Sequence, residues 1–413
     1  MRVPLTGDAV AEWFGGDAVV RVAAADGLPT ALAHAASRAF LAEVGLPSCV
    51  PHFEITGAPE ALDSVLTEQG AERIPPGAAG LVRIGEIGGD FVVVDGATGA
   101  VSLTDKHQSY PDQYPAPMRH DLLASDLSAF VHALHVLSVT SRGPQEDGPR
   151  GVAAYAKLLD DALGRIREVD PEVFRADGHA PVWSALLAMW ALPWGVGRAG
   201  EGTISGDGGP ENGLMFGVGP DVVADTGVPI DFAASAWPAA IAHEPTARFL
   251  AEVGLPRNES IIQFHEDLLA APLTHEGRSP NVFGPDGGPV WERDLAMRDH
   301  LSLGPFGFWC TVLLDGATGR VTAVGHEDPG WPAPLVNSDV SALVYAMWMG
   351  SCIVRIGATK AGPAANWEVF HAYWLCCDIM AQLLRAADPE ACGDEENQWQ
   401  TVLDDGHSSY FDQ

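Results

Sequence analysis

Fourteen histidines and six cysteines among 413 residues are the groups best able to hold a metal or move a proton, so their spacing comes first. A zinc protease helix needs a second His one helical turn after His-Glu. The pairs His243-Glu244, His265-Glu266, His275-Glu276 and His326-Glu327 all lack it. His52-Phe53-Glu54 supplies the His-x-Glu half of a zinc deaminase signature, but no Pro-Cys-x-x-Cys follows, and Cys49 precedes the motif. No Gly-x-Ser-x-Gly elbow or phosphate-binding Walker loop occurs. Gly195-Val196-Gly197-Arg198-Ala199-Gly200 has dinucleotide-type glycine spacing, yet an apolar helical run precedes it where a strand is required, and more glycine follows where a helix is required. That stretch reads as a linker over residues 195–219. Cys376 and Cys377 fall on an apolar helix and read as core, since an unpaired Cys packs as a small hydrophobe. The carboxylates are scattered along the whole length. The chain presents no catalytic constellation, no metal site and no cofactor motif.

The elements that would have to carry any site are present twice. Phe-Leu-Ala-Glu-Val-Gly-Leu-Pro recurs identically at residues 40–47 and 249–256. An exact internal match of this length marks a duplication, and the flanking sequence extends it. Leu32-Ala33-His34 is answered by Ile241-Ala242-His243, and Asp95-Gly96-Ala97-Thr98-Gly99 by Asp315-Gly316-Ala317-Thr318-Gly319. Ser125-Asp126-Leu127 is answered by Ser338-Asp339-Val340, and Asp170-Pro171-Glu172 with Trp183 by Asp388-Pro389-Glu390 with Trp399. The order is kept. Each copy is long enough for its own core, which places one domain at residues 1–200 and another at 222–413. Because His34 and His243 share one position, a structural part at the start of a helix suits them better than catalysis.

Local patterns give the elements. Residues 33–44 carry Ala33, Ala36, Phe40, Leu41 and Val44 on one helical stripe, with Gly45 as the stop. The Asp-Gly-Ala-Thr-Gly pentapeptide lies between β-rich runs and reads as a hairpin turn whose glycines supply positive φ. Ser125 and Ser338 are placed to cap the helices that follow, with Asp126 and Asp339 in the first turn. Leu127, Phe130, Val131 and Leu134 form the apolar face of the first of these, and Val340, Leu343, Val344 and Met347 that of the second. Helix, antiparallel strands, then helices is an α+β order and not an alternating βαβ one.

Composition narrows function further. Net charge is −32 while 47% of residues are hydrophobic, so the chain folds and its surface is acidic. That sign of field repels phosphate backbones and anionic lipid and favours encounter with basic proteins; acidity that serves only to keep the protein soluble is the competing reading. Direct nucleic-acid binding and membrane association are therefore disfavoured. The charge-free runs at 182–192 and 340–354 are shorter than a bilayer requires and read as buried core. No apolar signal segment is visible at the amino terminus, and irregularly spaced cysteines suit a reducing, cytoplasmic setting.

The repeated motifs carry a resemblance. A His ahead of Phe-Leu-x-Glu-Val-Gly-Leu-Pro, a hairpin with Asp-Gly-x-Thr-Gly, Asn337-Ser338 opening a helix, and Asp-Pro-x-x followed by Trp399-Gln400-Thr401-Val402-Leu403 resemble the SUKH-4 immunity proteins of actinobacteria, within the SUKH superfamily. Copy one departs at Ala124-Ser125 and lacks the Asp404-Asp405-Gly406 ending. The resemblance implies two tandem α+β domains, each a mainly antiparallel sheet with flanking helices, that bind a protein toxin, often a nuclease, without catalysis or cofactor. A regulatory interaction module without a toxin partner is the alternative. The loop after each hairpin combines acids and aromatics, as docking loops do: Asp105, His107, Tyr110, Asp112 and Tyr114 in copy one, and His326, Glu327, Asp328 and Trp331 in copy two. Packing of Tyr114 and Trp331 over the sheet edge is the competing reading.

Overall fold

The computed structural model describes residues 5–22, 27–48, 50–69, 74–75, 77–104, 120–142, 150–174, 180–196, 213–230, 241–257, 262, 300–306, 310–325, 334–358, 368–393, 397 and 399. Packing divides the chain into two compact units. The first is Met1–Arg142, Lys157–Ala191 and Lys360–Cys376; the second is Gly143–Ala156, Leu192–Thr359 and Cys377–Gln413.

In the first unit a short ladder joins β1 (Val19–Val20) to β2 (Leu46–Pro47). The main sheet is fully antiparallel, in the order β3 (Phe53–Ala61), β4 (Leu81–Ile87), β5 (Asp90–Asp95), β6 (Val101–Thr104) and β7 (Asp121–Ala124). Strand β5 is buried along Phe91, Val92, Val93 and Val94, so both faces of the sheet are covered. Side chains alternate between faces. Phe91 and Val93, with Leu81, pack against Leu62, Val65 and Leu66 of the helix Leu62–Glu68. The other face carries Phe53, which meets Phe130 of the helix Leu127–Ser141 at 5.8 Å and Trp183 of the helix Pro181–Ala191 at 6.0 Å. Full burial of an aromatic of this size stabilises by about 1.5–3 kcal/mol.

The second unit repeats the plan. Strands β8 (Val228–Ile230) and β9 (Leu255–Arg257) answer the β1–β2 ladder. Strands β10 (His300–Phe306), β11 (Cys310–Asp315), β12 (Val321–Gly325) and β13 (Leu335–Asn337) answer β4 to β7. Even the irregularities recur. The first hairpin shifts register between Arg83 and Gly85 in one copy and between Ser302 and Gly304 in the other. The last strand pair shifts at Val101/Ser102 and at Val321/Thr322. At Gly85 the bulge brings the backbone so close that a Cβ would lie 2.5 Å from the Glu54 carbonyl oxygen.

Three sequence expectations change. The helix expected over residues 33–44 begins at Ala35 and ends as one π turn, Phe40–Val44, with Gly45 at φ 87° as its stop. Its buried face is Ser37 and Leu41, while Ala33 and Ala36 are exposed, because the polar Ser37 turns inward to bond His34. The N-caps are Asp126 and Asp339, one residue later than expected: Asp126 accepts from the Ala129 amide and Asp339 from the Ala342 amide. Finally, residues 213–219 are not linker. Leu214, Phe216 and Val218 are buried, the Met215 amide donates to Asp339 and the Phe216 amide to the Ser341 hydroxyl.

Candidate functional site

The hairpin turn organises the end of each sheet from which the acidic and aromatic loops depart. Asp95 folds the turn through its own carboxylate, which accepts from the Ala97 and Thr98 amides at 2.8 Å each. Gly99 adopts φ 82°, which L side chains rarely reach, and closes the turn by donating to the Asp95 carbonyl. Gly96 serves a different need: a Cβ there would lie 1.9 Å from the Ala31 carbonyl oxygen. His34 then sits over Gly99. Its amide donates to the Gly96 carbonyl, and its Nδ1 lies 2.8 Å from the Ser37 hydroxyl.

Copy two builds the same device. Asp315 accepts from the Ala317 and Thr318 amides, Gly319 has φ 80°, and His243 Nδ1 lies 2.8 Å from the Thr246 hydroxyl. A Ser beside a His can serve as a nucleophile and base. Here Ser37 is buried, its counterpart is Thr246 with no exposure at all, and both imidazoles open a helix. These pairs lock helix to hairpin, as the shared position of the two histidines implied.

Burial alone would raise the Asp95 carboxyl. The Thr98 and Ala97 amides, the Thr98 hydroxyl and the charge of His120 outweigh it and hold the group below its ordinary value. Asp315 behaves alike, lowered against burial by the Thr318 hydroxyl, the Ala317 amide, His300 and the Thr318 amide. His120 itself is lowered by desolvation, opposed by Asp95 and Asp121. The loops leave from Thr104 and return at His120 in copy one, and leave from Gly325 and return at Pro334 in copy two. All the loop residues named from sequence lie outside the described residues: Asp105, His107, Tyr110, Asp112 and Tyr114, and likewise His326, Glu327, Asp328 and Trp331. What is described is the frame that carries them.

Behind that frame, each long helix is pinned by a buried carboxylate that sequence reasoning treated only as a helix stop. Asp170 accepts from the Ser125 amide at 2.6 Å. Asp388 accepts from the Ser338 amide at 2.7 Å and the Ser338 hydroxyl at 2.6 Å. The repeated Asp-Pro-Glu was the available signal, because a buried Asp kept in both copies needs donors to satisfy it. Trp183 donates to the Leu123 carbonyl, and Trp399 donates to the Asn337 side chain where copy one has Ala124.

A denser polar cluster occupies the second unit. Trp348 donates to Asp225 at 2.6 Å, and Arg355 pairs with the same carboxylate at 2.9 Å. Arg355 also donates to the Cys352 sulfur at 3.0 Å, and the Tyr155 hydroxyl lies 4.0 Å from it. Desolvation keeps Cys352 above its ordinary value despite Arg355, so the neutral thiol prevails over the nucleophilic thiolate. Burial likewise pushes Cys310 up to about 11 and Cys392 up to about 12. Cys376 and Cys377 are buried on the helix Glu368–Ala387, as core packing requires. Among the described residues no group of three or more His, Cys, Asp or Glu is placed to hold a metal ion, and no helix is long and apolar enough to cross a membrane.

With this geometry in view, comparison with known proteins gives one finding. The model of the family described as SUKH-4 immunity protein matches residues 5–189 and again residues 214–405. Searches of curated proteins and of solved structures return no significant match.

Proposed function

The chain belongs to the SUKH-4 immunity protein family, with one α+β domain matched in each half, and on that premise we propose that it binds and neutralises a protein toxin without catalysis. The match of both halves to a family of immunity proteins is the observation that carries this reading. The toxin we infer is a basic, nuclease-type domain, met through an acidic surface. Support comes from the net charge of −32 and from the exposed carboxylates of Asp8, Glu12 and Glu54 in the first unit and Glu244, Glu252 and Glu390 in the second. A nuclease holds basic groups to bind phosphate, and an acidic protein meets such a cleft with fast, salt-sensitive association.

We place the docking loops after the two hairpins, at Asp105, Tyr110, Asp112 and Tyr114 and at His326, Glu327, Asp328 and Trp331. The reasoning is that aromatics beside acids supply buried anchors and steering charge. We take residues 1–200 and 222–413 as the two domains, the second preceded by the segment 213–219 that packs on it, so that each loop has its own scaffold. The test is co-expression with the toxin domains encoded beside this gene. Rescue of growth and a co-eluting complex are expected. Absence of both with every such toxin, together with stable capture of housekeeping proteins, would replace immunity with a general interaction role.

A further inference from the structure

The long helix of each copy has one position that an aromatic ring covers, and the two rings come from different parts of the chain. Counting ten residues on from Ser125 and from Ser338 leads to His135 on the helix Leu127–Ser141 and to Trp348 on the helix Val340–Ala358. In the first unit the ring comes from copy one's own amino-terminal helix, Gly7–Phe14, whose Trp13 stacks on His135 with centroids 4.2 Å apart. The helix that precedes the matching ladder in copy two, Pro220–Thr226, holds no aromatic residue. Trp348 is met instead by Tyr155, edge-on at 5.1 Å. By sequence Tyr155 lies inside the first family match, residues 5–189, yet by packing Gly143–Ala156 belong to the second unit.

Backbone and side-chain contacts within the second unit hold this piece. The Gly151 amide donates to the Gly195 carbonyl at 2.9 Å, and the Val152 amide donates to the Asp221 carboxylate at 2.8 Å. Tyr155 is 8% exposed, and its hydroxyl lies 4.0 Å from the sulfur of the buried Cys352. Trp348 has no exposure at all. Gly195, the first glycine of the dinucleotide-like spacing, makes room for that indole: a Cβ there would lie 2.2 Å from the ring.

We propose that residues 150–156 are a strap that the second repeat takes from the first: Tyr155 covers Trp348 as Trp13 covers His135, and the second unit closes only with it. Burial supplies the driving force. Without Tyr155 the face of Trp348 and the Cys352 sulfur would lie open to water or line a void, and loss of one buried ring is a large share of the stability of a domain. The second family match, residues 214–405, contains neither Tyr155 nor Gly195. The repeats are therefore not interchangeable modules, because the second depends on chain that precedes its own match.

The experiment compares Tyr155→Ala and Tyr155→Phe in the full chain by hydrogen exchange and by site-resolved alkylation of Cys352. In the alanine variant, protection of residues 340–358 is expected to fall at least about tenfold and Cys352 to react at least about tenfold faster, while residues 127–141 hold their protection. The phenylalanine variant keeps the ring and should match the unmodified chain in both readouts. Unchanged protection of residues 340–358 in the alanine variant, or an equal fall in residues 127–141, would overturn the strap. Should the alanine variant fail to fold, the unmodified chain decides in rising urea below its unfolding midpoint. Exchange of the Tyr155 and Ala156 amides in one step with residues 340–358 supports the strap, and exchange in one step with residues 127–141 refutes it.

Discussion

The hairpins of the two copies are built alike, whereas the helix starts beside them are not. In both hairpins an aspartate folds the turn, a glycine takes positive φ, and a histidine bonded to a hydroxyl three residues on closes over it. At the helix starts, the bonds among the described residues differ in kind. Asp339 accepts from the Met215, Ser341 and Ala342 amides and the Ser341 hydroxyl, Ser338 bonds Asp388 twice, and Asn337 receives Trp399. Copy one has Ala124 in place of Asn337, and Ser125 reaches Asp170 through its amide. The turn that frames the loops was thus kept, while the anchoring of the helix behind it diverged.

The largest expected effect probes that divergence. Asp339→Ala strips four donors of a buried acceptor and should cost about 4 kcal/mol of stability, whereas Asp126→Ala, the loss of a helix cap, should cost about 1 kcal/mol. Chemical unfolding of the two variants measures the gap, and equal losses would break the comparison. Next comes the shared turn. In Gly99→Ala the new Cβ would lie 2.2 Å from His34 Nδ1, and in Gly319→Ala 2.4 Å from His243 Nδ1, both at positive φ. Each should cost about 3 kcal/mol, the two agreeing within about 1 kcal/mol. A smaller difference separates the serines. Ser338→Ala removes a hydroxyl bonded to a buried carboxylate and should cost about 1–2 kcal/mol, against less than about 0.5 kcal/mol for Ser125→Ala.

The smallest effect is in acid. Asp95 and Asp315 are both held below the ordinary value of 3.8. Their contribution is therefore complete above that value and lost as pH falls below it. Asp95→Asn and Asp315→Asn should each flatten the acid limb of stability by similar amounts, read as unfolding midpoints between pH 2 and pH 5. An effect in one copy alone would mean that the turns are less alike than their hydrogen bonds.

Much of this is legible in the sequence. Two identical pentapeptides between β-rich runs fixed the hairpins, and the apolar faces at Leu127 to Leu134 and Val340 to Met347 are buried as read. The caps were misplaced by one residue because Ser and Asp are adjacent and both cap well. In copy two the Ser338 hydroxyl is taken by Asp388, distant in sequence, whereas in copy one Asp170 accepts from Ser125 through the amide alone. The segment at 213–219 looked like linker because its glycines hide the alternation of Leu214, Phe216 and Val218. Neither the register shifts at Gly85 and Gly304 nor the Trp348–Asp225–Arg355 cluster has a local signature; both come from contacts distant in sequence. The docking loops are read from composition alone, and the frame that carries them ends at Thr104 and His120 and at Gly325 and Pro334.

Immunity rests on binding, so the most direct measurement is the association of the purified full chain with the toxin domain encoded beside its gene, at 50 mM and 500 mM salt. A stable one-to-one complex is expected, with an association rate that falls at least about tenfold at the higher salt. No complex at either salt with any such toxin would contradict the account.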